Sequence, residues 1–157
     1  MTSIATTKRL DAALAILRVA LGATFIAHGA QKLFVFGLAG VTGAFGQMGA
    51  PLPALTGPAT AFVELFGGLA IVLGLLTRLA GFGLAVVMVG AIALVHLKAG
   101  FFAPQGVEFP LSLLAASAAL ALTGAGRWSL DALIGQRRDA RLAATREQLA
   151  TRARRAA

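Results

Sequence analysis

The stretch PATAFVELFGGLAIVLG, from Pro58 to Gly74, decides how the rest of the chain is read. Its side chains are apolar or small apart from Thr60 and one carboxylate, Glu64. It lacks the period-two alternation of a membrane barrel strand. It lies within a segment, Ala54 to Leu76, that supplies the ~20 helical residues needed to cross a bilayer. An ionisable side chain at that depth is costly, and persists where it pairs with another group or handles protons, ions or a polar ligand.

The rest of the chain fits the same solvent. Hydrophobic residues make up 58% and charged residues 13%, against roughly 25% charged in a soluble domain. Between Gly37 and Gly126 the only formal charges are Glu64, Arg78, Lys98 and Glu108. This pattern predicts an all-α integral membrane four-helix bundle over residues 1–134, followed by a basic cytoplasmic helix or tail over 135–157. The spans fall at about 14–36, 54–76, 79–101 and 109–123, the last shorter than the ~20 residues of an ordinary crossing. Lys8 and Arg9 before the first span imitate a signal peptide. Its length and the absence of a small-residue cleavage site mark it as a retained helix.

Basic residues orient the bundle. With both termini inside, the cytoplasmic face collects Lys8, Arg9, Arg78, Arg127 and the tail arginines, leaving Lys32 and Lys98 outside. That asymmetry predicts an N-in/C-in topology, with Trp128 as an aromatic anchor at the cytoplasmic interface. The net charge of +8 is a property of the tail, since eight of the fourteen basic residues lie between Arg127 and Arg155. A basic tail beside a membrane meets anionic lipid headgroups, and nucleic acid is not an expected partner. With no cysteine and no tyrosine, the chain itself supplies no disulfide, thiolate metal site, thiol relay or tyrosyl radical.

The outer connection between the first two spans is uncharged. There Val41, Ala44, Phe45 and Met48 fall at helical spacing, which fits either a short helix in the outer interface or an irregular loop. Thr77-Arg78 reads as a very tight link making the second and third spans antiparallel neighbours. Small residues four apart (Ala20 and Thr24, Ala70 and Gly74, Gly81 and Ala85, Ala115 and Ala119) offer close helix approach. Ser129 reads as the N-cap of a terminal helix, with Asp131 in its first turn.

Depth gathers the polar residues. At 1.5 Å per residue, His28 lies about 12 Å and Glu64 about 9 Å below the outer ends of their spans. Lys32 sits one turn further out than His28; His96 and Lys98 close the third span, and Glu108 opens the fourth. His28, Lys32, Glu64, His96 and Glu108 thus converge on the outer half as a ligand or proton-handling pocket. Arg18 lies about 15 Å inward from His28 and shares a polar stripe about 80° wide with His28 and Lys32.

Plainer roles are open to each residue. Arg18 can snorkel to the inner headgroups, or pair with Asp131 or a helix-end carbonyl. Lys32 and Lys98 can snorkel outward, and Glu64 with His28 or Lys32 can be a structural ion pair that fixes helix register. The chemical alternative is a quinone headgroup, whose carbonyls need hydrogen-bond donors and whose reduction needs a proton route. The two histidines and two glutamates do not have the spacing of a defined metal motif.

Seven ordered stretches carry a family resemblance. Leu17–Gly22 (LRVALG) leads to Phe25–Leu33 (FIAHGAQKL). Gly49–Pro53 (GAPLP) follows, then Glu64–Gly68 (ELFGG) with Gly74–Arg78 (GLLTR), His96–Phe101 (HLKAGF) and Gly124–Asp131 (GAGRWSLD). Together they resemble the DoxX family of small bacterial membrane proteins over residues 14–131. Phe109 departs from the tyrosine expected after the glutamate, which removes a hydroxyl beside Glu108.

The resemblance implies a four-helix protein of the bacterial inner membrane, a subunit of a quinone-linked oxidoreductase or a partner in an oxidative-stress complex. It supplies no agreed catalytic residues. No intrinsic cofactor is expected, and a quinone is the ligand the pocket would take. Redox partner subunits and a homo-oligomer are the protein partners considered. A membrane scaffold or assembly protein without a ligand site, and a small proton-coupled transporter, are the rival functions.

Overall fold

The computed structural model describes residues 4–102 and 104–156. Every regular element among them is helical. Helix α1 spans Ile4–Ala30 and runs through a π-helical turn, Gln31–Phe36, into α2, Gly37–Gln47. Helix α3 is Pro53–Leu73 and α4 is Thr77–Ala91. The latter continues through a second π-helical turn, Ile92–His96, and a short 3-10 turn, Leu97–Ala99. Helix α5 is Glu108–Thr123 and α6 is Leu130–Ala156.

Three helical runs are long and apolar enough to cross a membrane: Thr6–Gln47, Pro53–Leu73 and Thr77–Ala99. The fourth apolar helix, Glu108–Thr123, has 16 residues, a rise of about 24 Å. The four apolar helices pack in a ring, α1 on α3, α3 on α4, α4 on α5 and α5 back on α1. Leu21, Phe25, Ile71, Leu84, Met88 and Leu120 meet at its centre. In lipid the alternative to this packing is another apolar environment. Association therefore rests on close fit and dispersion more than on removing area from water.

The fit is closest at glycines. A Cβ on Gly29 would lie 2.4 Å from the backbone nitrogen of Leu65, and one on Gly68 would lie 2.8 Å from the carbonyl of Gly22. Across the other interface, a Cβ on Gly81 would lie 2.8 Å from the carbonyl of Ser117. Gly81 belongs to one of the expected small-residue pairs, whereas Ala20, Ala115 and Ala119 are exposed. Spacing alone identifies a small stripe but not which side of the helix it faces.

The connection between the first two spans contains a helix, α2, rather than an irregular loop. Val41 is buried, and α2 packs along α3 with Val41 against Gly57. The turn between α3 and α4 falls at 74–76, so Thr77 and Arg78 form the first turn of α4 and not the link. Gly74 ends α3 in the left-handed conformation at φ 65°, as helix C-caps require. Leu76 adopts φ 48°, unfavourable for a residue with a Cβ, and is held there from outside by a carboxylate.

Candidate functional site

That carboxylate belongs to Asp131. Its Oδ1 accepts from the Leu76 amide at 2.7 Å and its Oδ2 from the Thr77 amide at 3.0 Å, while the Asp131 amide donates to Gly74 O at 2.8 Å. One side chain thus caps the N-terminus of α4, where an anion also suits the helix dipole. Ser129 caps α6 as its position suggests, accepting from the Ala132 amide at 3.2 Å.

Arg18 reinforces the same end. It is 4% exposed. Its Nη1 donates to the carbonyl of Ala125 and its Nη2 to that of Trp128 at 2.7 Å. Of the roles open to it, the guanidinium takes backbone carbonyls, and Asp131 takes backbone amides; the hydrogen bonds of both go to main chain instead of to each other. Asp11, a residue the sequence reading passed over, is buried and accepts from the Arg127 amide at 2.9 Å. The segment 124–131 is therefore clasped by two side chains of α1, while Asp131 at its end reaches across to α3 and α4.

The other polar centre lies about 21 Å away along α1, by the rise over the fourteen residues from Arg18 to Lys32. Lys32 Nζ and Glu64 Oε2 are 2.5 Å apart. The carboxylate side chain is 5% exposed and the lysine 21%, so the anion is enclosed while the cation keeps an edge open. Glu64 is placed by α3, on the buried side with Ala61 and Gly68. Lys32 is placed by the π-helical turn, whose wider i→i+5 winding resets the register after α1. Such turns occur frequently at functional sites.

His28, one turn earlier, is exposed and lies near Glu64. Its ring centroid lies 6.3 Å from that of Phe109, at the start of α5. Lys32, Glu64 and His28 are thus brought together, with the first turn of α5 alongside. That turn begins at half-buried Glu108, whose amide donates to Phe101 O at 3.0 Å and whose carbonyl accepts from Ser112 Oγ at 2.8 Å. His96 ends the second π-helical turn, and its Nδ1 lies 2.7 Å from Gln105 O. Since a carbonyl only accepts, Nδ1 carries the proton, and this ring nitrogen ties α4 to the loop ahead of α5.

The arrangement offers a fixed anion beside a partly open ammonium and an exposed imidazole. It can donate hydrogen bonds to a polar headgroup.

A family model described as DoxX matches residues 13–97, and a protein of Bacillus subtilis is 39% identical over 119 residues, covering 76% of this chain and 84% of that one. The chain belongs to the DoxX family. The Bacillus relative is named "Putative oxidoreductase CatD". A membrane protein of Mycobacterium tuberculosis is 34% identical over 132 residues, covering 77% of this chain and 80% of its own. A protein of Haemophilus influenzae is 34% identical over 122 residues, 75% of this chain and 87% of its own. A second family model, described as TQO small subunit DoxD, matches residues 59–149 of this DoxX chain. No solved structure matches it significantly. Apolar helices and family together make it a membrane protein.

Proposed function

We propose that this DoxX protein binds a quinone, or a lipophilic molecule with a similar polar headgroup, at His28, Lys32 and Glu64, as a subunit of or partner to a quinone-linked oxidoreductase of the bacterial inner membrane. In this reading His96 and Glu108 complete the rim of the pocket. Both termini face the cytoplasm, as the basic residues dictate, so the pocket opens in the outer half of the bilayer. The observation that carries the reading is the enclosed Glu64 carboxylate, 2.5 Å from an ammonium that is itself partly open. A charge at bilayer depth costs about 2.5–3.5 kcal/mol on insertion scales, and a ligand site is one use that repays it.

The chemistry follows from the side chains. The Lys32 ammonium and the His28 imidazole are donors for quinone carbonyl oxygens, and Glu64 accepts and returns a proton. Electrons come from a partner subunit. The DoxD match and the name of the Bacillus relative support a redox setting. The test is mass spectrometry of quinones retained after mild purification, with thermal shift on adding quinone analogues to wild type and Glu64→Gln. Retained quinone and a wild-type shift lost in Glu64→Gln support the proposal; no retained quinone and no shift in wild type sink it.

One observation favours a second reading. The ion pair joins α3 to the π-helical turn that continues α1, and α1 and α3 are the most extensively packed helices of the bundle, which suits a register lock in an assembly protein. Under that reading Glu64→Gln alters thermal stability and leaves quinone retention and partner capture unchanged.

A further inference from the structure

Among the described residues, helix α6 packs extensively on no other element. From Gln136 to Leu149 every side chain is exposed. Its root is nevertheless fixed: Asp131 is bonded to the α3–α4 turn, and the carbonyls of Ala125 and Trp128 are held by Arg18. Since α3 and α4 are membrane-crossing helices, the turn between them lies at a membrane surface. Leu76, Leu79 and Trp128 are all more than half exposed there. The first turns of α6 therefore start within the headgroup layer.

The helix is not uniformly basic around its circumference. At about 100° per residue, Leu130, Leu133, Ile134, Arg137, Arg141, Arg152 and Arg155 fall in a sector about 100° wide. Asp139 lies on the opposite side and Glu147 about a quarter-turn away. One face therefore begins apolar, continues as arginine and contains no acid. Ile134, Arg137, Arg138, Arg141 and Leu142 line a shallow groove beside it. Three guanidiniums next to two branched aliphatic side chains match a phosphate headgroup with its glycerol and upper acyl chain, since arginine binds phosphate oxygens in a planar fork.

We infer that the Leu133–Ile134–Arg137–Arg141 face of α6 docks on anionic phospholipid headgroups of the membrane that the bundle spans, laying the helix along that surface. This contact is independent of the quinone reading, because it lies at the opposite end of α1 from Glu64. An acidic protein could meet the arginines, but it has no equivalent reason to take Leu133 and Ile134 at a root held in the headgroup layer.

The chain has no cysteine, so single labels can be placed cleanly. The full chain carrying Ile134→Cys or Asp139→Cys is labelled with an environment-sensitive fluorophore. It is then reconstituted in nanodiscs of phosphatidylcholine alone or of phosphatidylcholine rich in phosphatidylglycerol. The expected result is several-fold protection of the Ile134 position from an aqueous quencher in the anionic discs only. The Asp139 position should stay accessible in both, and Arg137→Gln with Arg138→Gln and Arg141→Gln should abolish the protection. Equal accessibility of position 134 in both lipids overturns the inference. Equal protection in both removes the arginine role, and equal protection of positions 134 and 139 removes the assigned face. Protection appearing only on addition of an acidic protein overturns the lipid as occupant.

Discussion

Lys32 Nζ, on the π-helical turn that continues α1, lies 2.5 Å from the enclosed Glu64 Oε2 of α3. Truncating Glu64 to leucine leaves the lysine facing an apolar wall. Breaking a buried pair costs about 3–5 kcal/mol, and because Lys32 can swing its ammonium outward, a loss of about 2–4 kcal/mol is expected. Lys32→Met combined with Glu64→Leu should recover most of that loss, since no charge remains to be desolvated. Thermal unfolding of the three variants in one detergent checks the ordering. A double variant less stable than Glu64→Leu would show that the pair is not the energetic unit.

Arg18 bridges two carbonyls of different residues with one planar group. Arg18→Lys keeps the charge but cannot reproduce that fork. It should destabilise the chain by about 2–3 kcal/mol, the scale of charged hydrogen bonds lost in a buried setting. Amide hydrogen exchange should quicken through 125–131 before it quickens in α3. Uniform quickening throughout the bundle would contradict a local clasp.

Asp131 caps α4 with both carboxylate oxygens. Asp131→Ala should cost about 1–2 kcal/mol and expose the Leu76 and Thr77 amides to exchange. Asp131→Asn retains one acceptor and should lie between. If Asp131→Ala leaves the exchange of Leu76 unchanged, the cap is not what holds its left-handed conformation.

The apolar spans and the helical class could be read from the sequence because lipid leaves a helix few alternatives. A carboxylate in the middle of FVELFGG has to find a partner. Which partner it finds depends on the π-helical turn at Gln31–Phe36. No residue type there announces such a turn, yet it resets the register after Ala30 and delivers Lys32 to the carboxylate. His96 shows the same limit: the loop ending at Glu108 folds back and brings Gln105 O to its ring, a contact no spacing in the sequence announces. Asp11 sits two residues after the Lys8-Arg9 pair and looks like part of a solvated flank. Its burial is a consequence of residues 124–131 folding over α1, a contact more than a hundred residues away in sequence.

Glycine substitutions separate close packing from mere smallness. A Cβ on Gly29 would meet the backbone of Leu65 at 2.4 Å, and backbone cannot swing aside as a long side chain can. Gly29→Ala should therefore push α1 and α3 apart and cost about 1–3 kcal/mol or more, the range for overpacking. It should also weaken the Lys32–Glu64 contact one turn away. Gly90, inside α4, has open space around the same position. There Gly90→Ala should be neutral, or stabilising by up to about 1 kcal/mol, through helix propensity alone. Thermal unfolding of the two variants should diverge in sign or size. If Gly29→Ala is as stable as Gly90→Ala, the α1–α3 interface is looser than its geometry states.

His28 provides the readout that distinguishes ligand binding from a structural lock. It is exposed, next to Phe109, and near Glu64, so truncating it removes a donor without opening the core. His28→Leu should change stability by less than about 0.5 kcal/mol, as surface substitutions do. If a quinone sits at Lys32 and Glu64, the same variant should lose about tenfold or more in quinone affinity, the equivalent of one net hydrogen bond of about 1.4 kcal/mol. Fluorescence-quenching titration of a quinone analogue against wild type and His28→Leu measures this directly. Unchanged affinity with unchanged stability would remove His28 from the site and leave Lys32 and Glu64 to carry it alone.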